Sequence, residues 1–292
     1  MTQFKDPSIL ITGATGSVGT QLIKYLSEKN VGFRVLAKKS DRATKLSSVK
    51  GLELVYGDLT DKSSVKNALQ GIEKVFLLTN SSETAEALQL NFVDAAKANG
   101  VQHIVKLSQL AATLHSPVRF LRYHATVEQK IKDIAMNYTF LRPNLFMQGL
   151  LGFKESIIKK GMFFAAVGEA KISLIDVRDI AAVAAETLTT EGHDNKIYDL
   201  TGPEAITHQQ IADYFSKGLK KAIKFIDVKP EDMYREVVIA GFPLWQAEGL
   251  IEDYAHYARG EAAYVSAAVQ DITGHPPRNF QTFVADYAPF FQ

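Results

Sequence analysis

Three glycines spaced three residues apart, Gly13, Gly16 and Gly19, stand where the apolar run Ile9-Leu10-Ile11 ends. Immediately after them the apolar residues Val18, Leu22, Ile23 and Leu26 recur at a helical interval. The stretch Thr12-Gly13-Ala14-Thr15-Gly16-Ser17-Val18-Gly19 therefore reads as a tight turn between a strand and a helix. Glycine lacks the Cβ that would hold a phosphate off the backbone, and the start of the following helix presents unpaired N–H groups and the positive end of its dipole. The spacing GxxGxxG differs from the GxGxxG of the standard dinucleotide fingerprint. A P-loop would close on a Lys-Ser/Thr pair, whereas Thr20 follows Gly19 directly. Against a ligand-free glycine-rich turn, the flanking strand and helix favour a site for a dinucleotide pyrophosphate.

Further strands alternate with helical patterns: 33–37, 52–56, 74–78, 103–108 and 138–143 are strand-like, separated by helices such as 83–99 and 122–131. Such alternation specifies a doubly wound α/β fold with a parallel sheet, and right-handed crossovers place the strand ends on one edge. The residues at those ends become candidates for ligand contact. Lys38, Lys39 and Arg42 follow the second strand, where an acid would hold the ribose hydroxyls of NAD and a cation suits the 2′-phosphate of NADP. Asp58 follows the third, as an adenine contact or, with Thr60, as a turn and cap residue. Thr79-Asn80 follows the fourth, Ser108 the fifth, and Asn144 to Phe146 the sixth, where the nicotinamide would lie.

Composition narrows the functional classes. The 292 residues are 46% hydrophobic and 22% charged with a net charge of +1, and no basic block suggests nucleic acid as a partner. With no cysteine, disulfides, thiolate metal ligands and a cysteine nucleophile are excluded. No apolar run reaches spanning length, so no membrane association is expected and the cytoplasm is the expected compartment. Asp176 and Asp179, beside Arg178, are better explained as a helix cap and an ion pair than as metal ligands, and no metal is expected.

The glycine turn, Gly57-Asp58-Leu59, His124 with Val127-Glu128, Tyr138-Thr139-Phe140-Leu141-Arg142-Pro143, Asp176-Val177-Arg178-Asp179 and Leu200-Thr201-Gly202-Pro203 together resemble the NmrA-like atypical short-chain dehydrogenase/reductases, over essentially the whole chain. That group contains quinone reductases, azo and triphenylmethane dye reductases, and catalytically silent NADP sensors. The resemblance implies an NADP-binding Rossmann domain over residues 1–150. A smaller C-terminal α/β region over 151–292 would close a substrate cleft, with 197–202 returning a strand to the main sheet. Carried across, Gly13, Ala14, Thr15, Gly16, Ser17 and Val18 would hold the pyrophosphate and Lys38 the 2′-phosphate. Asp58 and Leu59 would hold the adenine, Thr79 and Asn80 the ribose, and Pro143 to Phe146 the nicotinamide side.

The proton relay of ordinary short-chain dehydrogenases, Tyr-x-x-x-Lys, is missing, because Val127 stands four residues after Tyr123. His124 is the residue that could donate a proton near neutral pH, or it packs in the helix with no catalytic duty. Beyond residue 149, 171–175 reads as a strand, 161–168 as an apolar cleft wall, 223–228 as a strand outside the main sheet, and the last 65 residues as helical and aromatic. Most of those aromatics, among them Phe242 and Tyr264, are expected in the core. The expected activity is NADPH-dependent hydride transfer, with NADPH preferred over NADH, to a small flat conjugated acceptor such as a quinone, by a monomer or homodimer. A non-catalytic NADP(H)-binding redox sensor is the alternative.

Overall fold

The structure, a computed structural model, describes residues 7–291. The glycine-bounded opening forms β1 (Ile9–Ile11) and α1 (Ser17–Glu28), followed by β2 (Phe33–Ala37), α2 (Asp41–Leu46), β3 (Leu52–Tyr56) and α3 (Lys62–Leu69). The chain continues through β4 (Lys74–Leu77), α4 (Ala85–Ala98), β5 (His103–Leu107), α5 (Arg119–Asp133) and β6 (Asn137–Pro143). Then come α6 (Lys154–Lys160), β7 (Met162–Ala165), α7 (Val177–Thr189), β8 (Lys196–Leu200), α8 (His208–Leu219) and β9 (Lys224–Asp227). Four helices close the chain: α9 (Pro230–Ile239), α10 (Leu244–Ala258), α11 (Ala268–Thr273) and α12 (Phe280–Tyr287).

The main sheet has the order β3-β2-β1-β4-β5-β6-β8 and every pair in it is parallel. Connections run outward in opposite directions from β1 and β4, so the crevice at the carboxyl ends of these two neighbours is the switch point where open α/β sheets bind ligands. Ile11 lies beside Val35 on one side and Phe76 on the other, which sets the glycine turn directly over that crevice. The Thr12 hydroxyl fastens the turn to β4: Oγ1 is 2.9 Å from the Leu78 carbonyl and accepts the Leu78 N–H at 2.8 Å.

Both faces of a parallel sheet must be covered, and each has its own apolar layer. Val18, Leu22 and Leu26 of α1 join Ile180, Val183 and Ala184 of α7 on one face. Val65, Phe92, Val93, Val127 and Ile131 cover the other. A separate core built on Phe163, Phe215, Phe280 and Phe283 holds the C-terminal elements together, around the two-stranded pair β7-β9. A cut at residue 150 does not divide these cores: α7, β8 and α11 all follow it and pack on the sheet, while Met147 and Leu150 belong to the C-terminal core.

Residues 171–175 correct the strand expectation. Their backbone pairs singly with several neighbours: Ile172 bridges Ile206, Ser173 N–H donates to the Ala262 carbonyl, and Ile175 bridges Phe146. No single partner runs alongside to make a ladder. Most of the C-terminal aromatics are in the core, while Phe242 and Tyr264, at 43% and 59% exposure, stand outside it.

The turn itself leaves no spare room. A Cβ on Gly19 would come within 2.3 Å of the Gly13 carbonyl oxygen and 2.6 Å of the Ala14 Cα, both backbone atoms. Gly19→Ala is therefore expected to destabilise the protein by about 1–3 kcal/mol, as overpacked sites do. Gly16→Ala, whose Cβ meets only the Gly13 oxygen at 3.3 Å, should cost less. Urea unfolding of the two variants side by side measures the difference.

Candidate cofactor and substrate cleft

The carboxyl edge of the sheet opens into a cleft of about 800 Å³. Gly13, Thr15, Gly16, Ser17 and Val18 line one end, Thr79, Asn80, Ser108, Pro143 and Phe146 its middle. Gln246, Leu250, Asp253 and Tyr257 form a roof contributed by or near α10. At the glycine end Gly16 caps α1 without any side-chain hydrogen bond, so the first-turn N–H groups remain available to an anion. Gly13 takes φ +66° with Leu78 pressed against it, a conformation and spacing that suit glycine alone. These features fit a pyrophosphate.

The other candidates from the sequence are divided. Ala14 is buried in the core beneath the turn. Lys38, Arg42, Asp58 and Leu59 lie outside the residues lining the cleft, at or near the ends of β2 and β3. Lys38, 74% exposed, pairs with Asp58 at 2.8 Å, and this ammonium, with the Thr60 N–H, holds the Asp58 carboxyl below its usual pKa. The two residues read separately as phosphate and adenine contacts thus begin as partners of each other. Thr79 already accepts a hydrogen bond from Gln89.

Asn144 reaches the cleft wall, but its side chain is committed elsewhere. Its amide donates to Ser173 Oγ and the Ala262 carbonyl, each at 2.8 Å, while Oδ1 accepts the Leu145 N–H. It anchors the end of β6 to the C-terminal region, so that only its backbone and its neighbours face a ligand.

Beneath the cleft floor lies a buried polar layer. Ser108 Oγ donates to Glu128 at 2.5 Å, and Arg142 clasps the same carboxylate through Nε and Nη2 at 3.0 and 2.5 Å. Beside it, Lys106 Nζ is 2.7 Å from His124 Nδ1 and 3.1 Å from the Leu107 carbonyl. Burial, reinforced by Lys106 and Arg142, pushes the His124 pKa well below its ordinary value. The neutral ring is therefore favoured near pH 7. Nε2 has no hydrogen-bond partner among the described residues and is not sealed from solvent, leaving one ring nitrogen to the cleft that His124 lines.

The Tyr123 and His124 rings lie in a tilted contact with centroids 4.1 Å apart, and burial raises the phenol to about 12. The Tyr123 hydroxyl is hydrogen-bonded with Ser81 Oγ at 3.3 Å, and among the described residues no lysine shares a hydrogen bond with it. Among the described residues no His/Asp/Glu cluster could hold a metal. Asp176 caps α7 and ion-pairs with Arg178 at 2.7 Å.

Lys106, Gln109, Asp253 and Tyr257 were not singled out from the sequence as site residues. A lysine inside the apolar run His103-Ile104-Val105-Lys106-Leu107 was a readable signal, because a buried strand rarely spends a position on an unpaired cation. Asp253 carried none: it is one acid among several on α10, and only the packing of that helix against α5, beside Gln109 beyond the end of β5, brings it to the cleft.

A family description, "NmrA-like family", matches residues 5–273. The chain belongs to the NmrA-like family. An NAD(P)H azoreductase from Xenophilus azovorans is 32% identical over 97% of this chain and 99% of its own. A (4-alkanoyl-5-oxo-2,5-dihydrofuran-3-yl)methyl phosphate reductase from Streptomyces griseus is 34% identical with the same two coverages. The NADPH complex of the quinone oxidoreductase QOR2 from Escherichia coli superposes with a TM-score of 0.87, at 28% identity over 95% of this chain and 99% of that one. Family, fold and relatives of such extent place the chain among the NAD(P)H-dependent oxidoreductases.

Gly16→Val isolates the binding claim. The added Cβ meets the protein only at the Gly13 carbonyl oxygen, 3.3 Å away, which asks for a small local shift, while the side chain would fill the pyrophosphate cradle. The expected result is a variant with native circular dichroism and no measurable NADPH binding by fluorescence titration.

Proposed function

We propose that the protein is an NADPH-dependent reductase that passes hydride to a small, flat, conjugated acceptor such as a quinone, an azo bond or an enone. The observation that carries this reading is the continuity of the cleft. One cavity runs from the uncapped start of α1, past the ends of β4, β5 and β6, to a roof of Leu250, Tyr257 and Asp253. A dinucleotide laid from the glycine turn along the strand ends leaves its reactive ring beneath that roof, with Phe146 and Leu151 as apolar walls.

The cofactor supplies the hydride. Ser17 and Val18 would bind phosphate through their N–H groups, and the ends of β4 and β5 would orient the ribose. The apolar walls exclude water from the acceptor. His124 hydrogen-bonds to bound ligand through its cleft-facing nitrogen and carries no net charge. A quinone suits such a site because its two-electron reduction gives a stabilised phenolate, which needs no strong acid in the transition state.

Lys38 supports the choice of NADPH. It stands where an acid would mark NAD, with Lys39 and Arg42 nearby, and a 2′-phosphate would draw it away from Asp58. NADPH should bind at least about 10-fold more tightly than NADH, the effect of one charged hydrogen bond of about 1.5 kcal/mol. Lys38→Asp should erase or reverse the preference, and isothermal titration with both cofactors checks it. Equal native affinities would remove Lys38 from the site.

The reductase reading itself is tested by following NADPH oxidation at 340 nm with a naphthoquinone, an azo dye and an enone. Turnover with at least one is expected. Tight NADPH binding without oxidation by any of the three would leave a sensor.

A further inference from the structure

The roof of the cleft holds a carboxyl group that the reaction with quinones does not use. Asp253, on α10, is 6% exposed and lines the cleft. Gln109 Nε2 lies 2.9 Å from each of its oxygens, and the Tyr257 hydroxyl donates to Oδ2 at 3.1 Å. No lysine, arginine or histidine forms an ion pair with it among the described residues. Two neutral donors do not offset the desolvation of a buried carboxylate, which favours the acid form. Oδ2 accepts from both Gln109 and Tyr257 and Oδ1 from Gln109 alone, so Oδ1 is the less engaged oxygen and the one to carry the proton.

We propose that Asp253 is the proton donor to acceptors that must be protonated as they are reduced, such as azo compounds and conjugated enones. The inference rests on the reductase reading above. As hydride adds to one atom of the acceptor's conjugated system, the Asp253 O–H bond breaks. Its proton joins the atom that gains the electron pair, the second nitrogen of an azo bond or the oxygen or α-carbon of an enone. The carboxylate left behind regains a proton from water.

The surroundings of Asp253 agree. Burial is the main cause raising its pKa to about 7, and Glu252 on the same helix adds to it, while Gln109 and Tyr257 oppose it. Tyr254 and Tyr257 on α10 and Tyr123 on α5 are the other titratable groups facing it, and burial pushes all three phenols up, so they are neutral near pH 7. His124, across the same cleft, is neutral too. Asp253 is thus the cleft-lining group that can lose a proton near neutral pH; Lys106, also brought to about 7, lies beneath the floor and does not line the cleft.

The test compares one azo dye and one naphthoquinone with native protein and Asp253→Asn, between pH 6 and 8.5, under saturating NADPH. With the dye, native kcat/KM should fall about 10-fold per pH unit above pH 7, while the quinone rate stays flat. Asp253→Asn should lower dye turnover by about 100-fold or more and remove the pH dependence, a loss at least about 10-fold larger than the altered roof causes in quinone turnover. Equal losses on both acceptors, or none on either, overturn the proposal. If the variant does not fold, a flat native dye profile overturns it and a falling one with a flat quinone profile supports it. Native protein inert with both acceptors overturns the reductase reading together with this one, whereas activity on both with flat profiles overturns the role of Asp253 alone.

A stability measurement gives a second readout independent of turnover. An acid whose pKa is raised on folding contributes stability below its unfolded value, near 3.8, and loses it as pH rises through about 7. Thermal unfolding should show Asp253→Asn gaining stability relative to native protein between pH 4 and 8. A constant difference across that range would contradict a buried acid.

Discussion

The cleft depends on how closely the first turn of α1 lies on the loop before it. Gly19 is pressed against the Gly13 carbonyl and the Ala14 backbone, and Gly13 against Leu78 at the end of β4. This contact fixes where the N–H groups of Ser17 and Val18 stand relative to the sheet edge. Thr12 completes the attachment by hydrogen-bonding β4 on the far side of the crevice. Lifting the helix by the width of one methyl group would separate the phosphate cradle from the strand ends that orient the rest of a dinucleotide. The glycines therefore serve two different ends: Gly13 and Gly19 allow close packing, while Gly16 leaves space for a ligand.

The floor and the roof of the cleft handle buried charge in opposite ways. Under the floor, Glu128 is matched by Arg142 in a two-pronged clasp and by Ser108, a geometry that compensates much of the desolvation of the pair. Lys106 is fully buried with His124 and a carbonyl as hydrogen-bond partners, and burial, against the pull of Glu128, brings it down to about 7. The resulting layer is electrostatically stiff: protonating His124 would add a second cation within 2.7 Å of Lys106. Burial first, with Lys106 and Arg142 adding to it, keeps the His124 pKa well below its ordinary value.

Much of the architecture was legible because it rests on local pattern. The strands over 33–37 and 52–56 fall on the boundaries read from apolar runs, and the returning strand near 197–202 is β8 in the main sheet. Asp176 caps its helix as its position suggested. What the sequence could not convey was which polar side chains were already engaged. Asn144 follows β6 like a ligand residue, yet spends its whole amide on Ser173, Ala262 and Leu145. Lys38 and Asp58 sit 20 positions apart, and nothing short of the β2-β3 register reveals that they meet. The segment 171–175 looked like a strand because alternation reports burial, and burial there comes from several unrelated neighbours.

Asp253 shows the same limit from the other direction. Its helix is separated by well over a hundred residues from Gln109, and only tertiary packing turns an ordinary helical acid into an enclosed one. Stability alone gives no reason to keep it: an apolar residue or an asparagine would avoid desolvating a charge, whereas Glu128 has a partner that makes its burial tolerable. An acid kept in an apolar enclosure, without a cation and against the cleft, opposes folding at neutral pH. Such opposition concentrates where a group has chemical work to do. The contrast between a compensated floor and an uncompensated roof therefore locates the reactive side of the cleft beneath α10. There the acceptor would lie between the floor carrying the cofactor and a side chain able to yield a proton.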